Sequence, residues 1–153
     1  MKYRDIIENA LHDHGADYCE IRIEETDNTR LTYRGNSLDT IGQTSGLGGN
    51  VRAVTRGGWG FASFNSIDEL KSKVFYATAQ SKAVGNSKTE LSHVDPCVDV
   101  VPAHIVSDPF RVPLAEKKRI MDHYKDLIWS IKGINSADII YADTSRKTFF
   151  GSS

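Results

Sequence analysis

The chain has 153 residues, of which 39% are hydrophobic and 25% are charged, and its formal net charge is −1 with 19 basic against 20 acidic residues. This composition is typical of a globular protein with a core of its own, and the charge balance argues against a nucleic-acid or membrane-surface binder, which needs a basic excess. No stretch approaches the roughly 20 apolar residues of a membrane span, no signal peptide opens the chain, and two distant cysteines give no disulfide framework, so we expect a cytoplasmic protein.

The first part of the chain predicts a helix followed by a five-stranded antiparallel meander. Apolar residues recur at helical spacing over residues 3–14, and alternating apolar and polar residues follow. Turn residues interrupt the alternation every eight to ten positions, which favours an antiparallel meander over a parallel sheet. The predicted strands cover residues 18–24, 30–34, 37–44, 51–56 and 59–64.

The last two of these strands form a predicted hairpin that is entered through a glycine-rich bend at Gly46, Gly48 and Gly49. Gly57-Gly58 suits a two-residue primed turn, because both central positions need positive φ. The expected cross-strand pairs are Arg56–Trp59, Val54–Phe61 and Arg52–Ser63. Side chains alternate along a strand, so one face carries Arg52, Val54, Arg56, Trp59, Phe61 and Ser63, and the other carries Val51, Ala53, Thr55, Gly60, Ala62 and Phe64.

The first of these two faces is the candidate site, with Arg52, Arg56, Trp59 and Phe61 as its residues. Arginine beside an exposed aromatic ring can bind a peptide carboxylate or stack in an interface. A nearby sheet edge could hold an extended peptide by strand addition. The alternative, that the two aromatic rings fill the core, stays open. The opposite face has small side chains and suits close packing of a helix.

The rest of the chain predicts a helix, a linker and a second helix. Ser66 and Glu69 form a capping box before a helix that ends near Gly85; its apolar stripe is Ile67, Leu70, Val74, Ala77 and Val84. All four prolines lie within residues 96–113, which predicts a linker with a short edge strand at 97–101. Pro113 suits the first turn of the next helix, whose apolar stripe is Ile120, Met121, Tyr124, Leu127, Ile128 and Ile131.

The chain ends in a predicted hairpin, with strands at residues 136–142 and 147–150 around Asp143-Thr144-Ser145. The predicted class is therefore α+β: an antiparallel sheet flanked by helices, followed by a linker and a helix–hairpin segment. The predicted parts are an N-terminal domain at 1–86, a proline-rich linker at 87–113 and the start of a second, truncated unit at 114–153. A strand so near the last residue leads us to expect a longer natural protein.

Candidate catalytic and metal-binding groups are sparse. His12 and His14 lie two positions apart on a helix and point in different directions. His93, Asp95 and Cys97 have ligand atoms, yet closed zinc sites normally show paired ligands at short spacing. Cys19 is flanked by acidic residues, which disfavour a thiolate. We expect no metal site and no catalytic residue in this chain; an independent hydrolase that uses Cys19 or His93 is the least favoured alternative.

Two segments resemble the N-terminal region of the TldD/PmbA family, whose members are zinc metallopeptidases historically called modulators of DNA gyrase. The first is the run Gly15-Ala16-Asp17-Tyr18-Cys19-Glu20-Ile21-Arg22. The second is the glycine-rich approach to Arg52-Ala53-Val54 and then Gly58-Trp59-Gly60-Phe61-Ala62. The resemblance covers essentially the whole chain, including Asp108-Pro109 and Val112-Pro113-Leu114, and is closer to the TldD-like branch.

This resemblance implies that the chain belongs to a peptidase but does not itself carry the residues that hydrolyse the peptide. The family's zinc motif is His-Glu followed by a second His on one helix, and no His-Glu dipeptide occurs here. Zinc and the general-base glutamate would come from a downstream domain, while this region shapes access for a peptide substrate and contributes to a homo- or hetero-oligomer. The alternative is a stand-alone peptide- or protein-binding or assembly module without catalysis.

Overall fold

A computed structural model describes residues 2–89 and 91–153. Its elements in chain order are α1 (Arg4–Leu11), β1 (Tyr18–Arg34), β2 (Ser37–Thr55), β3 (Gly58–Phe64), α2 (Leu70–Val84), α3 (Leu114–Ser130) and β4 (Asp138–Ser152). The strands form a four-stranded sheet in the order β3-β2-β1-β4. The α+β class with an antiparallel sheet and helices, predicted from the sequence, is confirmed. No helix in the described ranges is long and apolar enough to cross a membrane.

The predicted five-strand meander is wrong in its number of strands, because β1 and β2 each replace two predicted strands. The gap between the first two predicted strands, at residues 25–29, was expected to be a turn, but Asp27 and Asn28 continue β1 and bind neighbouring strands instead. The hydroxyl of Ser45 donates to Asp27 at 2.6 Å, and the hydroxyl of Thr144 donates to Asn28 at 2.9 Å. Polar side chains with cross-strand partners can therefore stay inside a long strand.

The glycine-rich segment of β2 also differs from its prediction, since it continues the strand and is not a bend. A Cβ atom at Gly49 would overlap the backbone carbonyl of Arg22 and the ring of Phe64. Glycine is required at Gly49 by the close approach of its neighbours, which is a recognised use of glycine within strands.

Two further predictions in the second half of the chain are wrong. The expected C-terminal hairpin is the single strand β4, with Asp143 inside it. The expected edge strand at residues 97–101 does not form, and residues 91–108 adopt no regular helix or strand. The valines of this segment are exposed, including Val101 at 86%. A strand there would have no neighbouring surface to pack against, so nothing stabilises it.

The structure contains two compact units. Unit 1 combines the chain up to Glu25 with Leu47–Val98 and Lys147–Ser153. The small-residue face of its hairpin packs against α2, as predicted, and a Cβ atom at Gly60 would overlap the carbonyl of Ala77. The core of unit 1 is apolar and consists of Tyr3, Ile7, Ala10, Cys19, Ile21, Ile23, Val51, Ala53, Phe64, Leu70, Val74 and Ala77.

Unit 2 combines Thr26–Gly46 with Asp99–Arg146. Its smaller core consists of Leu31, Tyr33 and Met121, with Leu114, Ile139 and Tyr141 packed against it. Only Met121 of the predicted α3 stripe is buried, and the position one turn before it is the buried Lys117. Four residues of that stripe are exposed by 41–55%: Ile120, Tyr124, Leu127 and Ile131. The predicted division at residues 86 and 113 stays a prediction.

Candidate functional site

The hairpin that carries the predicted site turns one residue earlier than expected. Arg56 and Gly57 occupy the turn with φ of 47° and 76°, and Val54 pairs with Trp59 while Arg52 pairs with Phe61. Moving the turn by one residue shifts the register by two, and a shift by two returns each side chain to the same face. The predicted faces are therefore retained, except that Arg56 leaves the strand and the predicted Arg56–Trp59 pair does not form.

Trp59 and Phe61 project from the side of the unit 1 sheet that lies opposite α2. Trp59 is 48% exposed and Phe61 is 54% exposed, so neither ring fills the core of unit 1. The Arg52 guanidinium lies 5.7 Å from the centroid of the Trp59 ring, within the range of a cation–π contact. The structure thus brings together three of the four predicted site residues.

Arg52 is held in place by a short polar network. Its Nε donates to Glu20 Oε1 at 2.5 Å and its Nη2 contacts the same oxygen, while the Tyr18 hydroxyl donates to Glu20 Oε2 at 2.7 Å. Glu20 is buried. Burial raises the pKa of Tyr18, and the hydrogen bond to Glu20 raises it further, so the phenol keeps its proton as a donor. The network fixes the arginine beside the Trp59 ring.

A further aromatic ring on the same side comes from β4. Phe149 packs edge-on against Tyr3, with ring centroids 4.9 Å apart, on the core side of the sheet. Successive side chains in a strand point to opposite faces, so Phe150 projects from the other side, where it is 54% exposed. We call the surface formed by Glu20, Arg52, Trp59, Phe61 and Phe150 the open face. Phe150 is not among the predicted site residues, because the sequence pattern predicts a separate hairpin for it.

Arg56 lies apart from the open face. Its backbone N–H donates to Asp17 Oδ2 at 2.7 Å, and its Nη2 donates to the carbonyl of Lys82 at 3.3 Å. Both contacts tie the hairpin turn to the segments before β1 and at the end of α2. Arg56 therefore acts on the turn, and its predicted place in the site stays untested.

The residues present do not fit a zinc site. Across residues 2–89 and 91–153, no group of three or more His, Cys, Asp or Glu side chains lies close enough to hold a metal ion. Side chains of His93 and Asp95 are 3.7 Å apart and almost fully exposed. Burial raises the pKa of Cys19 to about 11, which keeps the thiol protonated and unreactive at neutral pH.

Unit 2 contains a polar cluster that sequence reasoning missed. Lys117 Nζ donates to Asp143 Oδ2 at 2.6 Å, and the hydroxyl of Tyr141 donates to the same oxygen. Burial, together with the hydrogen bond to Asp143, raises the pKa of Tyr141 to about 12. The available signal was Lys117, a charged residue one helical turn before the buried Met121 on the apolar stripe of α3.

Comparison with known proteins gives three kinds of match. The family model described as PmbA/TldA metallopeptidase domain 1 matches residues 19–80. The Metalloprotease slr0863 of Synechocystis sp. is 31% identical over 140 residues, which cover 90% of this chain and 30% of that protein. The Metalloprotease MJ0996 of Methanocaldococcus jannaschii is 26% identical over 141 residues, which cover 88% of this chain and 31% of that protein. The chain thus spans less than a third of the length of these curated relatives.

Solved structures share the fold. BT3649 from Bacteroides thetaiotaomicron superposes with a TM-score of 0.80 at 14% identity, covering 99% of this chain and 36% of that one. TldE from Thermococcus kodakarensis superposes with a TM-score of 0.71 at 12% identity, covering 95% of this chain and 34% of that one. At these identities the likeness concerns the fold alone.

Proposed function

We propose that this chain, whose sequence matches the first domain of the PmbA/TldA metallopeptidase family model as its motifs predict, is the non-catalytic N-terminal part of a zinc metallopeptidase of the TldD/PmbA family. In this proposal it shapes the access of a peptide substrate and contributes to subunit contacts. A downstream domain binds zinc and hydrolyses the peptide. The TldD-like branch stays a prediction.

The open face is the observation that carries this proposal. Trp59, Phe61 and Phe150 are each about half exposed on it, and Arg52 stands among them in a fixed position. Exposed aromatic groups with arginine are the composition that protein and peptide interfaces favour. Because the sheet buries its other face against α2, the open face remains available to bind a peptide or another part of the assembly.

A second surface, in unit 2, supports the part of the proposal that concerns subunit contacts. Ile120, Tyr124 and Leu127 recur at helical spacing on α3, Ile131 follows directly after the helix, and each of the four is exposed by 41–55%. Apolar stripes of this kind on a helix are buried when they meet a partner. We therefore assign this stripe to a contact with another chain or with a further domain, in a homo- or hetero-oligomer.

In this proposal zinc is bound by another domain, because the described side chains offer no set of three ligands. We also propose that the protein lies in a reducing cytoplasm, which is consistent with its two free cysteines, of which Cys97 is exposed. Purified on its own, the 153-residue chain should contain no stoichiometric zinc and should not cleave peptides. Bound zinc in elemental analysis, or turnover of a peptide library by this chain, would contradict the assignment.

The decisive experiment alters the open face in a full-length family protein that carries this chain. We expect Arg52→Ala combined with Trp59→Ala to lower peptide turnover, or to shift the mass measured by light scattering, at unchanged zinc content. Tyr76→Ala is the matched control, because Tyr76 is 55% exposed on α2 and lies outside the open face. Unchanged turnover and mass in the double variant would refute the proposed role of the open face.

A stand-alone peptide- or protein-binding module is the second candidate, and the fixed position of Arg52 beside Trp59 favours it to the same degree. The two candidates differ in what the isolated chain does. A module should bind unstructured peptides by itself, and Arg52→Ala should abolish that binding. A metallopeptidase region should require the downstream domain for any measurable effect on peptides.

A further inference from the structure

A groove between α1 and α2 in unit 1 is distinct from the open face and plays no part in the proposed function. It has a volume of about 480 Å³. Its apolar wall is formed by Ala10, Val74, Phe75 and Ala79, and its polar groups are Asn9, Asp13, His14, Lys71, Thr78 and Lys82. Apolar walls with a few polar groups are typical of small-molecule sites.

The polar groups gather at the end of the groove near Gly15. Lys82 Nζ lies 3.4 Å from the position that a Cβ atom on Gly15 would take, so the ammonium group stands beside His14. Ala16 donates its backbone N–H to His14 Nδ1 at 3.1 Å. In the neutral ring Nδ1 is therefore the acceptor, and the proton is on Nε2, which remains able to donate.

Charge at this end of the groove favours an anion. Within the described part of the chain, neither Lys71 nor Lys82 forms an ion pair with a carboxylate. Asp13 is the acidic residue of the lining, and it lies 3.1 Å from His12 with its side chain 95% exposed, where solvent screens it. Burial lowers the pKa of His14, and the charge of Lys82 lowers it further, which keeps the imidazole neutral in a positive local field.

Thr78 adds a polar group without a partner. The residue is 5% exposed, and its hydroxyl makes no hydrogen bond among the described residues. A buried hydroxyl without a partner destabilises the folded chain, and a bound acceptor would remove that cost. Thr78 lines the groove one helical turn before Lys82, and its hydroxyl can donate to an acceptor bound there.

We infer that this groove binds a carboxylate carried on an apolar body, such as the C-terminal residue of a peptide. Lys82, His14 and Thr78 receive the carboxylate, and Phe75, which is 69% exposed, lies against the apolar part together with Val74 and Ala79. The apolar wall distinguishes this ligand from a free inorganic anion, and the ammonium group distinguishes it from a neutral apolar molecule.

Three probes and one internal reference test the inference on the 153-residue chain. N-acetyl-leucine carries both features, N-acetyl-leucinamide lacks the charge, and acetate lacks the apolar body. NMR of the imidazole Cε1–H resonances reports the binding. We expect N-acetyl-leucine to shift the His14 resonance in a saturable way and to raise its pKa, because a carboxylate favours the imidazolium. The exposed His12 nearby should not respond.

Two variants complete the test. Lys82→Met should weaken N-acetyl-leucine by about tenfold, which corresponds to about 1.4 kcal/mol. Lys71→Met removes the same charge from the far end of the groove, three turns away on α2, and should change the affinity by less than about twofold, or about 0.4 kcal/mol. The inference would be overturned if the His14 resonance showed no saturable shift, or if the amide or acetate bound as tightly as N-acetyl-leucine. Equal losses of affinity in both variants, or tighter binding of inorganic phosphate than of N-acetyl-leucine, would overturn it as well.

Discussion

Lys117 and Asp143 form an ion pair of 2.6 Å in which the two side chains are only 2% and 8% exposed. Lys117 also lies 3.4 Å from the hydroxyl of Thr29, and its ammonium group is 5.2 Å from the centroid of the Phe110 ring. The other carboxylate oxygen of Asp143 has no hydrogen-bond partner in the described structure. The pair therefore links α3 to β4 within unit 2 through one short contact in surroundings that exclude water.

Removing one member of this pair should destabilise unit 2 strongly. In Lys117→Met the Asp143 carboxylate stays buried without its cation, and such changes cost about 3–5 kcal/mol. Urea unfolding followed by tryptophan fluorescence and circular dichroism measures the loss. The matched control is Lys118→Met, because Lys118 pairs with Asp122 at the surface and exposed pairs contribute little.

The double variant Lys117→Met/Asp143→Leu separates the charge from the packing. Replacing both members by apolar residues removes the buried charge, so most of the stability lost in the single variant should return. If the double variant were as unstable as Lys117→Met, the packing of these side chains and not the unpaired charge would account for the loss.

The same cluster predicts a dependence of stability on acid. Burial acts to raise the pKa of Asp143, but hydrogen bonds from Lys117 and Tyr141 outweigh it and leave the pKa below the ordinary 3.8. A carboxyl whose pKa is lower in the folded chain stabilises the fold above its unfolded pKa, and this contribution is lost as the pH falls through the folded pKa. We expect urea midpoints to fall less steeply below about pH 3.8 in Asp143→Asn than in the parent chain. Parallel pH profiles would contradict this prediction.

The sequence predicts those parts of the fold that depend on interactions between residues close together in the chain. The faces of the β2–β3 hairpin were predicted correctly although its turn lies one residue earlier, because period-two alternation survives a register shift of two. The packing of α2 on the small-residue face follows from the same alternation. Both features depend on the alternation of neighbouring residues, so they can be predicted from one sequence alone.

The wrong predictions depend on partners that are distant in the sequence. Aspartate is typical of turns, yet Asp27 and Asp143 each lie within a long strand. Ser45 donates a hydrogen bond to Asp27, and Lys117 donates one to Asp143. The same reasoning applies to the candidate site. Arg52, Trp59 and Phe61 could be predicted from one hairpin, whereas Glu20 and Phe150 join the open face only through the pairing of β1 with β2 and β4.

Close packing of the sheet on α2 predicts a large difference between two glycine variants. Gly60→Ala would place a methyl group onto the carbonyl of Ala77, in backbone that cannot move aside easily. Overpacking of this kind costs about 1–3 kcal/mol or more. Gly42→Ala is the control, because no atom lies within 4 Å of the added Cβ. Thermal unfolding should show a lower midpoint for the first variant and an unchanged or higher one for the second; equal midpoints would show that α2 does not lie against Gly60.

The two cysteines should differ sharply in their reactivity toward thiol reagents. Cys19 is fully buried in the core of unit 1, and burial together with the charge of Glu20 raises its pKa to about 11. Cys97 lies exposed in the irregular segment after α2. Because the thiolate is the reacting species, an aromatic disulfide reagent at mildly alkaline pH should modify one thiol per folded chain and two per chain in denaturant. Cys97→Ser provides the control, since it should abolish the rapid reaction and leave only the reaction that requires unfolding. Rapid modification of folded Cys97→Ser would mean that the β1 strand opens readily and that the core of unit 1 is not closed around Cys19.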